Sequence, residues 1–135
     1  MPEKNPPSHL RSPLEPAWEH ARDAMFLADI QSGLLVDVNP AAERLMGFDR
    51  NELIGLHQSR LHPEKERVDI EKAFRRTAAS STLVPGFHIQ TKDGRHVPIE
   101  ISSSDPFHSE GRLLVLGIFR DVSDLEAVMN FIPVE

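Results

Sequence analysis

The chain reads as an α+β protein, an antiparallel sheet with short helices gathered on one side. Three observations carry this. Two short apolar runs bracket a glycine-containing turn near the start, helix caps and glycine stops crowd the middle, and period-two alternation governs the last third. The element order is therefore two strands, several small helices, then three strands.

The first thirteen residues, MPEKNPPSHLRSP, are polar and proline-rich and read as a flexible leader. Residues 14–23 read as a short flanking helix, with Trp18, Ala21 and Met25 at helical spacing. The runs Ala24 to Ile30 and Leu34 to Val38 flank the turn Gln31-Ser32-Gly33 and predict a hairpin. Asn39-Pro40 then gives an N-cap followed by proline at the first helical position. That helix should run from Pro40 to Met46 and stop at Gly47. Asp49 and Glu52 have capping-box spacing and open a one-turn helix ending at Gly55. His57 to Lys65 is polar and ambiguous. A longer helix over Glu64 to Ala79 places Ile70, Ala73, Phe74, Thr77 and Ala78 on one face, with Glu71 and Arg75 at i,i+4 elsewhere. Leu83 to Thr91 leads through the turn Lys92-Asp93-Gly94 into Arg95 to Ser103, where Val97, Ile99 and Ile101 share a face. After a loop centred on Gly111, Arg112 to Arg120 is apolar on both faces and should be buried twice.

Composition narrows the function classes. The 135 residues, 39% hydrophobic and 27% charged, suit one ordinary globular domain. A formal net charge of −6 without a basic stripe argues against a nucleic-acid partner. The lack of cysteine excludes disulfides, thiolate-bound zinc, iron–sulfur clusters and thiol chemistry. No run approaches the ~20 apolar residues of a membrane span, and the start is not a signal peptide. A cytoplasmic location without membrane attachment is the natural expectation. Neither a Ser/His/Asp word, a phosphate loop nor a metal-spaced cluster stands out, so the expectation is a non-catalytic protein without a metal site.

Four words in order and spacing carry a resemblance: DAMFLADI, DVNPAAERLMGFDRNELIG, KDGRHVPIEIS and the closing LGIFRDVSD. Together, over roughly Asp23 to Asp124, they resemble a PAS domain, a family of sensory and signalling modules. The resemblance implies a five-stranded antiparallel sheet in spatial order 2-1-5-4-3, cupping short helices around a pocket. Residues 24–122 would be the domain and residues 123–135 the start of a C-terminal signalling helix or tail. Pro98 would fall in an inner strand, where its missing N–H should need either a bulge or no partner.

By the same resemblance the inward, ligand-binding residues would be Phe26, Ala28, Val38, Leu45, Ile70, Phe74, Phe87, Ile89, Ile99, Ile101, Val115 and Gly117. Gly117 is the suggestive one, because a glycine on an inner strand face leaves room. The same side chains would equally fill the cavity themselves. The cofactor stays unknown. Cysteine-adduct flavin and the coumaroyl thioester are excluded, and non-covalent flavin lacks the tryptophan of such relatives. Histidine-ligated haem is disfavoured, since no histidine lies on the long helix and all seven are expected at the surface or in loops. A small organic metabolite, held by apolar contacts and groups such as Ser103 or Thr77, fits better.

Five further residues are candidates for structural or signalling roles. Asn39 caps a helix. Glu52 and Lys92 would pair as a latch on the pocket helices, beside the plain alternative that Glu52 only completes its capping box. Asp121 and Ser123 lie in an exit word resembling the one that starts an output helix, with Ser123 as N-cap and Glu126 completing the box. The helix would carry Leu125, Val128 and Met129 as an apolar stripe and end at Pro133. Leu14, Trp18 and Ala21 would close the sheet's outer face against Leu114, Leu116 and Ile118, or make a dimer contact. The expected partners are a second copy, an output domain or signalling protein, and a small molecule; the alternative is a ligand-free module for dimerisation or docking.

Overall fold

The computed structural model describes residues 12–77 and 83–125. Most of the expected leader, Ala78, and Glu126 onward, including Val128, Met129 and Pro133, lie outside these residues. Helix α1 (Leu14–His20) leads to strands β1 (Ala24–Asp29) and β2 (Leu35–Val38). Helices α2 (Pro40–Met46) and α3 (Arg50–Leu53) follow, then 3-10 turns at Gln58–Leu61 and Glu64–Glu66 and helix α4 (Arg67–Thr77). Strands β3 (Leu83–Gln90), β4 (His96–Ser103), β5 (Phe107–Ser109) and β6 (Arg112–Asp121) complete the described part. The sheet is antiparallel in order β2-β1-β6-β4-β3, with β5 on β6, which is the expected 2-1-5-4-3 order plus one short strand.

Local chemistry explains the boundaries. Asn39 caps α2 by accepting from Ala42 N, and Gly47 ends it with φ 77°. Asp49 and Glu52 form the capping box of α3. The expected long helix is corrected at its start: Glu64–Glu66 forms a 3-10 turn, and α-geometry begins at Arg67.

The extra strand β5 has a clear cause. Glu110 and Gly111 both take positive φ, 50° and 76°, as a two-residue hairpin turn requires. Three residues, 104–106, face two, 115–116, between the Ser103↔Gly117 and Phe107↔Leu114 pairs. This bulge divides β4 from β5. Across it, Ser104 N donates to Leu116 O at 2.9 Å, and Leu116 N donates to Ser104 Oγ at 3.0 Å. The hydroxyl thus accepts where a strand carbonyl otherwise would.

Pro98 costs no hydrogen bond in the β3–β4 ladder. Val122 N donates to its carbonyl at 3.0 Å, so its nitrogen faces the β6 side. The β4–β6 ladder has already ended at Ile99↔Asp121, where the missing N–H falls beyond the last pair.

Asn39 is the main polar pin of the core. Fully buried, its Oδ1 accepts from Met25 N and Ala42 N, and its Nδ2 donates to Trp18 O and Asp23 O. Two donors and two accepted bonds satisfy the whole amide and tie α1, β1 and α2 together. The placement of α1 is corrected accordingly. Its main packing partner is α2, not the outer face carrying Leu114, Leu116 and Ile118, and Leu14 is exposed.

Candidate functional site: a cavity between sheet and helices

Alternation along the strands sends Phe26 and Ala28 of β1, Ile101 and Ser103 of β4, and Val115, Gly117 and Phe119 of β6 to one face. Over that face lie Ile70, Ala73 and Phe74 of α4 and Gln58, Leu61 and His62 of the segment before it. With Leu35 these residues line a cavity of about 60 Å³. Gly117 sits opposite Phe26 in the ladder, and the Phe26 and Phe119 rings meet tilted at 42° with centroids 4.6 Å apart. A Cβ built on Gly117 would meet only Phe119 Cε1 at 3.4 Å and Phe26 O at 3.8 Å. The glycine therefore holds space open rather than answering a strained backbone.

Seven of the twelve expected pocket residues line this cavity: Phe26, Ala28, Ile70, Phe74, Ile101, Val115 and Gly117. Five do not. Val38, Ile89 and Ile99 are wholly buried in packed core. Leu45 is half-buried against that core, and Phe87 is half-buried with its ring 6.5 Å from that of His62. Facing inward was the right criterion for the core, but α2 and α3 bring Met46 and Leu53 into it and leave no space there.

Leu35, Gln58, Leu61, His62 and Phe119 also line the cavity without having been singled out for it. Phe119 was legible, being two residues beyond Gly117 on the same strand face. Gln58, Leu61 and His62 were not, because a 3-10 turn among polar residues gives no helical or strand period.

His62 lies in a loop, as expected of the histidines, but it is buried there, at 1% exposed. Its Nδ1 lies 2.7 Å from His88 O. A carbonyl only accepts, so Nδ1 carries the proton and donates. Burial pushes the imidazole pKa down to about 4, against the opposing pull of the His88 carbonyl and Glu66, so the ring is neutral near pH 7. Glu66 meanwhile accepts from His88 N and His88 Nδ1, each at 2.8 Å. His62 and Glu66 together satisfy the outward main-chain groups of His88 on edge strand β3.

Beside the cavity, Gln58 Nε2 donates to Glu71 Oε2 at 2.7 Å. Arg75 donates from Nε to Glu71 Oε1 and from Nη1 to Ile30 O. This chain of bonds ties α4 to the 3-10 turn and to the end of β1.

Glu52 and Lys92 meet, with Nζ 3.0 and 3.2 Å from the two carboxylate oxygens. The bond from Lys92 and that from Asp49 N hold the Glu52 carboxyl below its ordinary range. Lys92 N also donates to Met46 O, so the β3–β4 turn grips the end of α2. At the exit, residues 123–125 are helical, and Asp121 Oδ1 accepts from Ser123 N at 2.8 Å and from Ser123 Oγ; the expected capping box of Ser123 with Glu126 lies partly outside the described residues. Among the described residues, no cluster of three or more metal-ligating side chains occurs, and no helix is long and apolar enough to cross a membrane.

A family model described as a PAS domain matches residues 22–124. No curated protein matches. Several solved structures share the fold. The PAS domain of an HTR-like protein from Haloarcula marismortui is 21% identical with a TM-score of 0.69, covering 81% of this chain and 88% of that one. A domain of a sensory box sensor histidine kinase/response regulator from Geobacter sulfurreducens is 25% identical with a TM-score of 0.68, covering 81% and 91%. A PAS domain from Colwellia psychrerythraea is 24% identical with a TM-score of 0.72, covering 83% and 96%. With the family model spanning the hairpin, the small helices, the cavity and the closing strand, the chain belongs to the PAS domain family.

Proposed function

We propose that this domain is a non-catalytic sensory module of the cytoplasm whose cavity takes a small ligand and whose state passes through its flanking segments and a homodimer interface. The recipient would be an output domain or a partner signalling protein. The observation that carries the reading is the cavity itself, kept open by Gly117 where nearly every other inward position is filled. Ligand occupancy would bias α4 and β6, which both line the cavity, and through β6 the exit that follows it. Apolar Leu14 and Leu125 are exposed near the two ends of the described chain and support an interface there.

Native mass spectrometry with a visible absorption spectrum tests the reading. A bound mass that disappears in Gly117→Leu, while the variant keeps its circular dichroism and melting cooperativity, is the expected result. Binding that survives Gly117→Leu would show that the cavity is not the site. Sedimentation velocity checks the dimer, and a monomer at all working concentrations would remove that part.

One observation favours a second reading, a ligand-free module for dimerisation or docking. The cavity is less than half the ~150 Å³ that accepts a benzene ring. Neither a flavin nor a haem fits without a large opening. An empty, colourless dimer would favour this reading.

A further inference from the structure

The cavity wall is apolar except at Gln58, His62 and Ser103. Of these, His62 is the most deeply buried, flanked by Phe119 and Phe87 with ring centroids 5.7 and 6.5 Å away. Its Nδ1–H is committed to the His88 carbonyl. A neutral imidazole with the proton on Nδ1 presents a bare lone pair at Nε2, and Nε2 makes no hydrogen bond among the described residues. An acceptor that no protein donor covers, on a side chain lining a cavity, favours a guest that brings a donor.

We propose that the cavity selects an uncharged ligand, no larger than about two or three heavy atoms, that carries an N–H or O–H donor, and that His62 Nε2 accepts its hydrogen bond. This rests on the reading of the cavity as a ligand site and adds what that site recognises. The apolar walls reject a charged group, because a buried charge needs a partner that they do not offer. The His88 carbonyl fixes the tautomer, so the site reads donors and not acceptors at this position. Gln58 donates its amide N–H to Glu71 and leaves its side-chain oxygen as a further acceptor, which reinforces the same preference.

Methanol and fluoromethane test this directly, being nearly the same shape and differing in one O–H donor. Titrations of the full chain followed by ¹H–¹⁵N NMR should show methanol bound about tenfold more tightly than fluoromethane. Only methanol should move the His62 Nε2 resonance. His62→Phe keeps a ring at this position but offers no acceptor, and it should bind the two probes equally. Equal affinities in the wild-type chain would overturn the proposal and leave the ligand site standing. A methanol preference that persists in His62→Phe, or that leaves Nε2 unmoved in the wild-type chain, would also overturn it and assign the acceptor to Gln58 or Ser103. Failure of both probes to bind would overturn the proposal together with the reading beneath it.

Discussion

The same inner face of the sheet is filled at one end and hollow at the other. Towards β2, α2 and α3, Val38, Ala42, Met46 and Leu53 are each at most 1% exposed, and Asn39 has every polar atom bonded. Towards α4 and the 3-10 turns, Ala28, Ala73 and Gly117 are small, and Phe26, Ile70 and Phe74 stand around a space of about 60 Å³. Both ends use aliphatic and aromatic side chains. What separates them is side-chain volume against the gap to be filled, together with the kind of helix above: a capped α-turn delivers Met46 and Leu53 inward, whereas the 3-10 segment delivers Gln58 and His62. A packed end fixes the fold, and an underfilled end is free to respond.

The largest contrast should come from removing the same number of carbons at each end. Leu53→Ala in the filled end should cost about 4 kcal/mol, near the top of the range for such truncations. Ile70→Ala, whose side chain already borders empty space and makes fewer contacts, should cost about 2 kcal/mol. Urea unfolding of both variants measures this. Equal losses would mean that the hollow end is as tightly determined as the filled one.

Acid should attack the hollow end next. The folded pKa of His62 is about 4 against an ordinary 6.5, so the unfolded chain takes up a proton over a range where the folded chain does not. Stability is complete above pH 6.5 and is lost as pH falls towards 4. The full loss is on the order of 3 kcal/mol for this group. His62→Asn removes the titration, so its stability should depend less steeply on pH over this window than the wild type's. Identical slopes in the two proteins would show that His62 is protonated without penalty.

How legible the molecule was in its sequence follows the same division. Caps and turns are local, so the Asn39 and Asp49–Glu52 caps, the Gly47 stop and the hairpin glycines could be read directly, and the strand order came with the four family words. The filled end was legible as core, but Val38, Ile89 and Ile99 could not be told from cavity lining, because alternation gives direction and not distance to what lies opposite. His62 escaped for a different reason. Its burial comes from a 3-10 turn folding against edge strand β3, a contact 26 residues away in sequence with no periodic signal. Strand β5 escaped because a serine hydroxyl bridges the bulge, which composition cannot show.

The smallest effect belongs to the Glu52–Lys92 pair, which joins α3 to the β3–β4 turn at the filled end. Both side chains are well exposed, so water and salt screen their attraction. The Glu52 carboxyl is held below its ordinary range, so its contribution is present at neutral pH and fades as pH falls through the folded value. A double-mutant cycle of Glu52→Gln and Lys92→Met should give a coupling smaller than either effect above, and smaller again in high salt. Hydrogen exchange is the more telling measurement. If the pair acts as a local latch, exchange of the α3 amides should rise in Lys92→Met while global stability hardly moves, since a four-residue helix opens far below the global unfolding energy. Unchanged exchange would leave α3 held by its capping box and by Leu53 alone, and a steep global loss would place the pair among the pins of the filled end.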